Sequence, residues 1–269
     1  MARSVVAIDT TVFYASMCRL VDGNPRPLLG GVQTDPTEGR HTVAAEMRKH
    51  REFAADIVRR VTESAHGKPE LVVLRKPEVG NVKADPSGVR RVGVHWELVR
   101  QLDDAHIPVA EVPIYTVQRA LGLPVNDYGR LTARLTELYP DAAHPVLGDK
   151  PDPRYRMTTV GLALAGAVPT GIGVPVEVTD DLLVALRRGA DFPFTAEQWG
   201  ERVERLAGTR AAARLQDKRS RAAAWYEQQL EDIAKLPMAE LTDRFGERGP
   251  RNATLKAAWR RRVEREAAR

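Results

Sequence analysis

The chain reads as an α/β protein: a mixed sheet flanked by helices, followed by an all-helical, basic C-terminal extension. Three observations predict this. Short β-type runs fill residues 4–33, separated by turn signals. Between residues 38 and 168, helical spacing alternates with two further apolar runs, "ELVVL" and "HIPVAEVPI". From residue 195 onward the pattern is almost all helical and densely charged.

The first strand is "SVVAID". The second lies in "TTVFYASMCRLVDG", which is rich in β-formers and ends at Asp22-Gly23, and "PLLGGVQT" is the third. Over residues 38–64 the alternation is lost. Val43, Met47, Phe53, Ile57, Val58 and Val61 recur at helical spacing, and Gly67-Lys68-Pro69 ends that helix. "ELVVL" (70–74) follows the break and reads as a buried parallel strand. After a loop with Pro77, Gly80, Pro86 and Gly88, residues 89–104 form a helix with Val92, Trp96, Val99 and Leu102 on one face. "HIPVAEVPI" (106–114) is the next strand, and "TVQRALG" and "YGRLTARLTELYP" are helices ending at Gly122 and Pro140. Residues 141–154 read as a loop, and "RYRMTTVGLALAGAV" (154–168) as a small-residue helix suited to close packing on a sheet. Residues 195–235 form one or two long helices carrying Trp199, Leu206, Leu215, Trp225, Leu230 and Ile233. "MAELTDRFG", a turn "ERGPRN" and "ATLKAAWRRRVEREAAR" complete the chain. The expected division is 1–193 and 194–269, with no internal repeat.

Composition narrows the function classes. The apolar fraction is 43% and the charged fraction 29%, as in a globular protein. No apolar run approaches the ~18 residues of a membrane span, and "MARSVVAIDT" has no secretory pattern. A cytoplasmic location with no membrane partner is expected. One cysteine, Cys18, excludes an internal disulfide framework and a cysteine-rich zinc site. The net charge is +5, and residues 194–269 hold 17 Lys+Arg against 12 Asp+Glu, while 1–193 hold 24 of each. A basic extension fits a polyanion such as nucleic acid, or simply a solvated helical tail.

Within "VVAIDTTV" an apolar run ends on Asp9. A buried carboxylate there is costly unless something pairs with it. The ordered stretches "VVAIDTT", "PELVVLRKP", "IPVAEVPIYTVQRALG", "LTARLTELYP" and "TTVGLALAGAV" resemble the RuvC-like Holliday-junction resolvases of the ribonuclease-H-like fold, especially the phage-type members. The resemblance covers about residues 1–190. It implies a nuclease in which three or four carboxylates hold two Mg²⁺ ions. Asp9 matches the first of them. The second, a glutamate, falls on Leu74 or Arg75, and a final D-x-x-D-like pair falls on Tyr155 and Thr158; none of these is acidic. The resemblance therefore implies a degenerate centre, with Arg75 pairing Asp9. Two rescues remain open: Glu78 with Asp152, or Glu177 and Asp180 as an E-x-x-D pair. Against the second, Asp180 and Asp181 follow Thr179, an N-cap residue, and suit a helix's first turn.

Other patterns add little catalytic chemistry. His41, His50, His66, His95, His106 and His144 show no metal-pair spacing. There is no phosphate-loop spacing and no G-x-S-x-G, and Cys18 fits a buried strand position better than a nucleophile. Arg75, Lys76, Lys83, Arg90 and Arg91 flank the presumed site edge, as phosphate contacts or as a solvated loop. Residues 236–268 look faintly like a helix-turn-helix. Leu236, Leu241 and Phe245 would pack on Leu255, Trp259 and Val263, leaving Lys256, Arg260, Arg261 and Arg262 for DNA. The turn is longer than usual, so a plain basic hairpin is the simpler alternative.

The expectation is a RuvC-like protein that binds branched or structured DNA in recombination or replication, with a degraded nuclease centre. The alternatives are an active Mg²⁺-dependent junction endonuclease and a non-catalytic interaction scaffold. A homodimer through helix 89–104 would suit a four-way junction.

Overall fold

In the computed structural model, β1 (Ser4–Thr10) lies in the middle of a five-stranded sheet. The residues described are 2–35, 42–77, 87–142, 146–147, 150–151, 156–246 and 248–267. With β2 (Tyr14–Val21), β3 (Leu28–Gln33), β4 (Leu71–Arg75) and β5 (Val109–Val112), the strand order is β3-β2-β1-β4-β5. β2 alone runs against the others: it pairs antiparallel with β1 and β3, while β1, β4 and β5 pair in parallel. This is the mixed sheet flanked by helices expected from the sequence.

Both faces of the central strands are covered, so their residues read as nearly continuous apolar runs. Alternation still sorts them. Val5, Ala7, Cys18, Leu20, Leu71 and Val73 face one core. That core is closed by α3 (Ile114–Ala120), α4 (Tyr128–Leu138), α5 (Met157–Thr170) and α6 (Asp180–Gly189). Val6, Ile8, Ala15, Met17, Val72 and Leu74 face the other core, closed by α1 (Val43–Thr62) and α2 (Gly88–Asp104). Buried Arg19 ties three segments on that side. It donates to Ser4 Oγ at 2.8 Å, to the Gly67 carbonyl at 2.9 Å and to the Val61 carbonyl at 2.6 Å.

α5 is the central helix of the first face. Its small residues let it lie close on the sheet. A Cβ at Gly166 would stand 2.4 Å from Val73 Cγ2 and 2.8 Å from Val5 Cγ1. The helix ends at Gly171, whose φ of 76° suits glycine. On the other face, α2 turns differently from its predicted face. Val94, His95, Leu98 and Leu102 are buried, whereas Trp96 is 59% exposed. The close pass of Gly93 beneath His50 of α1 selects this rotation, because a Cβ there would lie 2.9 Å from the imidazole Nδ1. Within the expected 141–154 loop, β6 (Val146–Leu147) and β7 (Lys150–Pro151) pair as a small hairpin.

The chain separates into two compact units, Met1–Leu206 and Ala207–Arg269. A single helix, α7 (Ala196–Lys235), runs through the boundary. In the second unit, Ile233 near the end of α7 packs with Leu241 of α8 (Met238–Phe245) and with Leu255 and Trp259 of α9 (Ala253–Ala267). Leu236 and Phe245 join this cluster as predicted, but Val263 is 38% exposed and Ile233 takes part instead. Gly249, with φ 68°, lies so close to the Trp259 indole that a Cβ would reach within 2.5 Å of it. Asn252 caps α9 by accepting from the Thr254 and Leu255 amides at 3.0 and 3.3 Å.

Replacing Gly166 with Ala forces a methyl into the interface between α5 and the sheet. Overpacking of this kind costs about 1–3 kcal/mol. Urea denaturation is expected to show that loss, and an unchanged midpoint would mean that α5 does not pack as closely as described.

Candidate functional site: a carboxylate between two arginines

Alternation places the site. Asp9 has the same parity as Val5 and Ala7, and Arg75 the same parity as Leu71 and Val73, so both point to the α5 side. The β1–β4 register pairs Ile8 with Leu74, and one step further sets Asp9 beside Arg75. Across β2, Asp9 pairs with Ser16. Tyr14 and Ser16 share the parity of Cys18 and Leu20 and face α5 too. The start of α5 is fastened here: the Arg156 amide donates to Ser16 Oγ at 2.9 Å, and Thr159 Oγ1 donates to the same oxygen at 2.9 Å.

Asp9 is 2% exposed. Its Oδ2 atom lies 3.3 Å from Arg75 Nη1 and 3.3 Å from Arg156 Nη1, and the Thr158 hydroxyl approaches it at 3.4 Å. Each guanidinium is held at its other end. Arg75 Nη2 approaches the Tyr128 hydroxyl at 3.4 Å, and Arg156 Nη2 donates to the Tyr14 hydroxyl at 2.7 Å. The Tyr14 ring also lies 5.0 Å from the Arg156 guanidinium carbon.

Above this triad is a cleft of about 270 Å³ lined by Asp9, Thr10, Thr11, Arg75, Lys76, Pro77, Arg91, His95 and Arg156. Lys76 Nζ donates to Asp191 Oδ2 at 2.5 Å, which holds its ammonium pKa above the usual range. Asp191 is placed by an antiparallel bridge between its backbone and that of Glu111 on β5. Glu111 pairs in register with Leu74, so its side chain belongs to the α2 side. There its Oε1 lies 2.6 Å from His95 Nε2. Burial lowers the His95 pKa below its ordinary 6.5, although Glu111 pulls the other way.

These residues do not fit a divalent cation. Guanidinium groups offer donors and no acceptor, and two of them stand on the Asp9 oxygen that a cation would need. Among the described residues, no group of three or more His, Cys, Asp or Glu is placed to hold a metal ion. Arrangement and charge suit an anion instead.

The other expected site residues are placed as follows. Glu78, Asp152 and Lys83 lie outside the described residues. Glu177 and Asp180 are exposed, and neither lines the cleft with Asp9. Asp180 stands in the first turn of α6, capped by Thr179, whose Oγ1 accepts from the Leu182 amide at 3.2 Å. Of the basic candidates, Arg75, Lys76 and Arg91 line the cleft, while Arg90 turns toward Glu46 of α1 at 3.8 Å. Lys256, Arg260 and Arg261 belong to α9 in the second unit; Arg260 and Arg261 are exposed and Lys256 half-buried. Cys18 is fully buried, which drives its thiol pKa far up, so it is a core residue. Sequence reasoning missed Arg156, Tyr14 and the His95–Glu111 pair. Strand parity was the available signal for Tyr14 and Glu111; Arg156 sits in "RYR", two residues before Thr158, with no periodic signal.

No protein-family model matches the chain, and no curated protein matches it significantly. Among solved structures, the chain is similar to the RuvC structure of Thermus thermophilus, with TM-score 0.47 and 15% identity over 64% of this chain and 99% of that one. It is also similar to T. thermophilus RuvC in complex with Holliday junction substrate, with TM-score 0.43 and 16% identity over 65% and 99% of the two chains.

Two outcomes are expected from this geometry. Asp9→Ala leaves Arg75 and Arg156 without their shared carboxylate. It is expected to cost roughly 2–3 kcal/mol in urea denaturation, below the ~3–5 kcal/mol of a fully buried pair because both arginines keep contact with water. The lowered His95 pKa means that the unfolded chain takes up a proton before the native protein does. Its contribution to stability is complete above the ordinary value of 6.5 and is lost as pH falls through the folded pKa. A Tm series from pH 7.5 to 5 should decline, less steeply in His95→Gln.

Proposed function

We propose that this chain is a RuvC-like protein of the phage-type group that binds branched or structured DNA without cutting it. In this proposal the nuclease centre is degraded, and an ion-pair cluster stands where carboxylates would hold Mg²⁺. The observation that carries it is the clamping of Asp9 by Arg75 and Arg156. Paired carboxylates neutralise metal ions at a two-metal centre; here the carboxylate is neutralised by the protein itself.

Two further features support a polyanionic partner. Lys76 and Arg91 line the same cleft. In the second unit, α9 is packed through Leu255 and Trp259 and exposes Arg260 and Arg261. Phosphate contacts from such groups give affinity and position rather than sequence specificity. A helix-turn-helix-like use of 236–268, a homodimer through α2, which exposes Val89 and Trp96, and a cytoplasmic role in recombination or replication belong to the same proposal.

A second reading, an active Mg²⁺-dependent endonuclease, has one observation in its favour: Pro77 lines the cleft and directly precedes Glu78.

The test is a labelled four-way junction assayed for binding in EDTA and for cleavage with Mg²⁺ or Mn²⁺. The expected result is binding without cuts, with affinity falling about tenfold or more as salt rises from 50 to 200 mM. Symmetric cuts that disappear in Asp9→Asn would replace the proposal with the active enzyme. Absence of binding would leave a protein-interaction scaffold.

A further inference from the structure

The cleft over Asp9 has inverted the charge that a metal centre requires. Among its nine described lining residues, Arg75, Lys76, Arg91 and Arg156 are cationic and Asp9 alone is acidic. A ligand entering it meets guanidiniums rather than the carboxylate, because Asp9 is 2% exposed while the Arg75 and Arg156 side chains are 25% and 31% exposed. Asp9 is then a spacer. Its one oxygen, Oδ2, sets both guanidiniums at 3.3 Å, and the Tyr14 and Tyr128 hydroxyls fix their far ends. Arginines held in this way lose little freedom when they take up a ligand. A guanidinium fork also matches phosphate oxygens in geometry.

The dimensions restrict the ligand. At about 270 Å³ the cleft equals roughly nine waters at ~30 Å³ each, below the ~300–1,000 Å³ of most small-molecule sites. A phosphate group fits; a whole nucleotide would have to leave its sugar and base outside.

We propose that this cleft binds one phosphate group directly, between Arg75 and Arg156 with Lys76 and Arg91 beside it, and needs no divalent cation. This deepens the DNA-binding reading and rests on it for the source of the phosphate, which is either an internal phosphodiester or a terminal monophosphate.

The test uses the full chain. Thermal shift and calorimetry are run with inorganic phosphate, with MgCl₂, with an unphosphorylated dinucleotide and with the same dinucleotide carrying a 5′-phosphate, all at matched ionic strength. Phosphate is expected to raise the Tm in a saturable way, and Mg²⁺ is not. Arg91→Gln, a change at a half-buried residue of the cleft lining, and Arg156→Lys, which keeps the charge but loses the fork, should each weaken phosphate binding about fivefold or more. Preference for the plain dinucleotide assigns a backbone phosphodiester, and preference for the phosphorylated one assigns a strand end. Stabilisation by Mg²⁺ with none by phosphate would overturn the proposal, as would phosphate binding equal in wild type and both variants. If phosphate fails but the junction still binds, this inference falls and the DNA-binding reading stands. If phosphate binds and no DNA does, the reverse holds.

Discussion

A carboxylate buried at the end of a central strand must be paired where it lies, because an isolated charge there costs several kcal/mol. Asp9 is satisfied at a single oxygen by three groups from two parts of the chain: Arg75 ending β4, and Arg156 and Thr158 at the start of α5. The neutralising groups thus also join the sheet to the helix that covers it. The Ser16 hydroxyl, opposite Asp9 in the β1–β2 register, completes the fastening by accepting from the Arg156 amide.

The opposite face of the same sheet edge is arranged by the same alternation. Glu111 falls on the α2 side and meets His95, while its backbone holds Asp191 in place for Lys76. Asp9, Glu111 and Asp191 each therefore have a basic partner, and the positive excess among the described residues is carried by those that line the cleft. Among the described lining residues, fixed guanidinium and ammonium donors outnumber the one carboxylate.

The strands were legible because their signals are strong. β1 and β4 each hold an unbroken run of four apolar residues, 5–8 and 71–74, and Asp22-Gly23 marks the turn after β2. Arg75 was legible by its position after "VVL". Arg156 was not, because it sits in a polar stretch before α5, and only the fold brings it to Asp9. The face of α2 was ambiguous for a different reason. Both the predicted Val92-Trp96-Val99-Leu102 face and Val94-Leu98-Leu102 form helical apolar stripes that share Leu102, and the contact between Gly93 and His50, far apart in sequence, accompanies the second. The β6–β7 hairpin has two residues in each strand, too few to show alternation.

The shared oxygen on Asp9 couples the fates of its neighbours. Exchanging Arg75 alone for an acid would set two carboxylates side by side with Arg156 still between β1 and α5. Exchanging Arg156 alone would do the same beside Arg75. The cost of removing either arginine therefore depends on whether the other still neutralises Asp9. The triad is an epistatic unit, in which a double exchange is not the sum of its single steps.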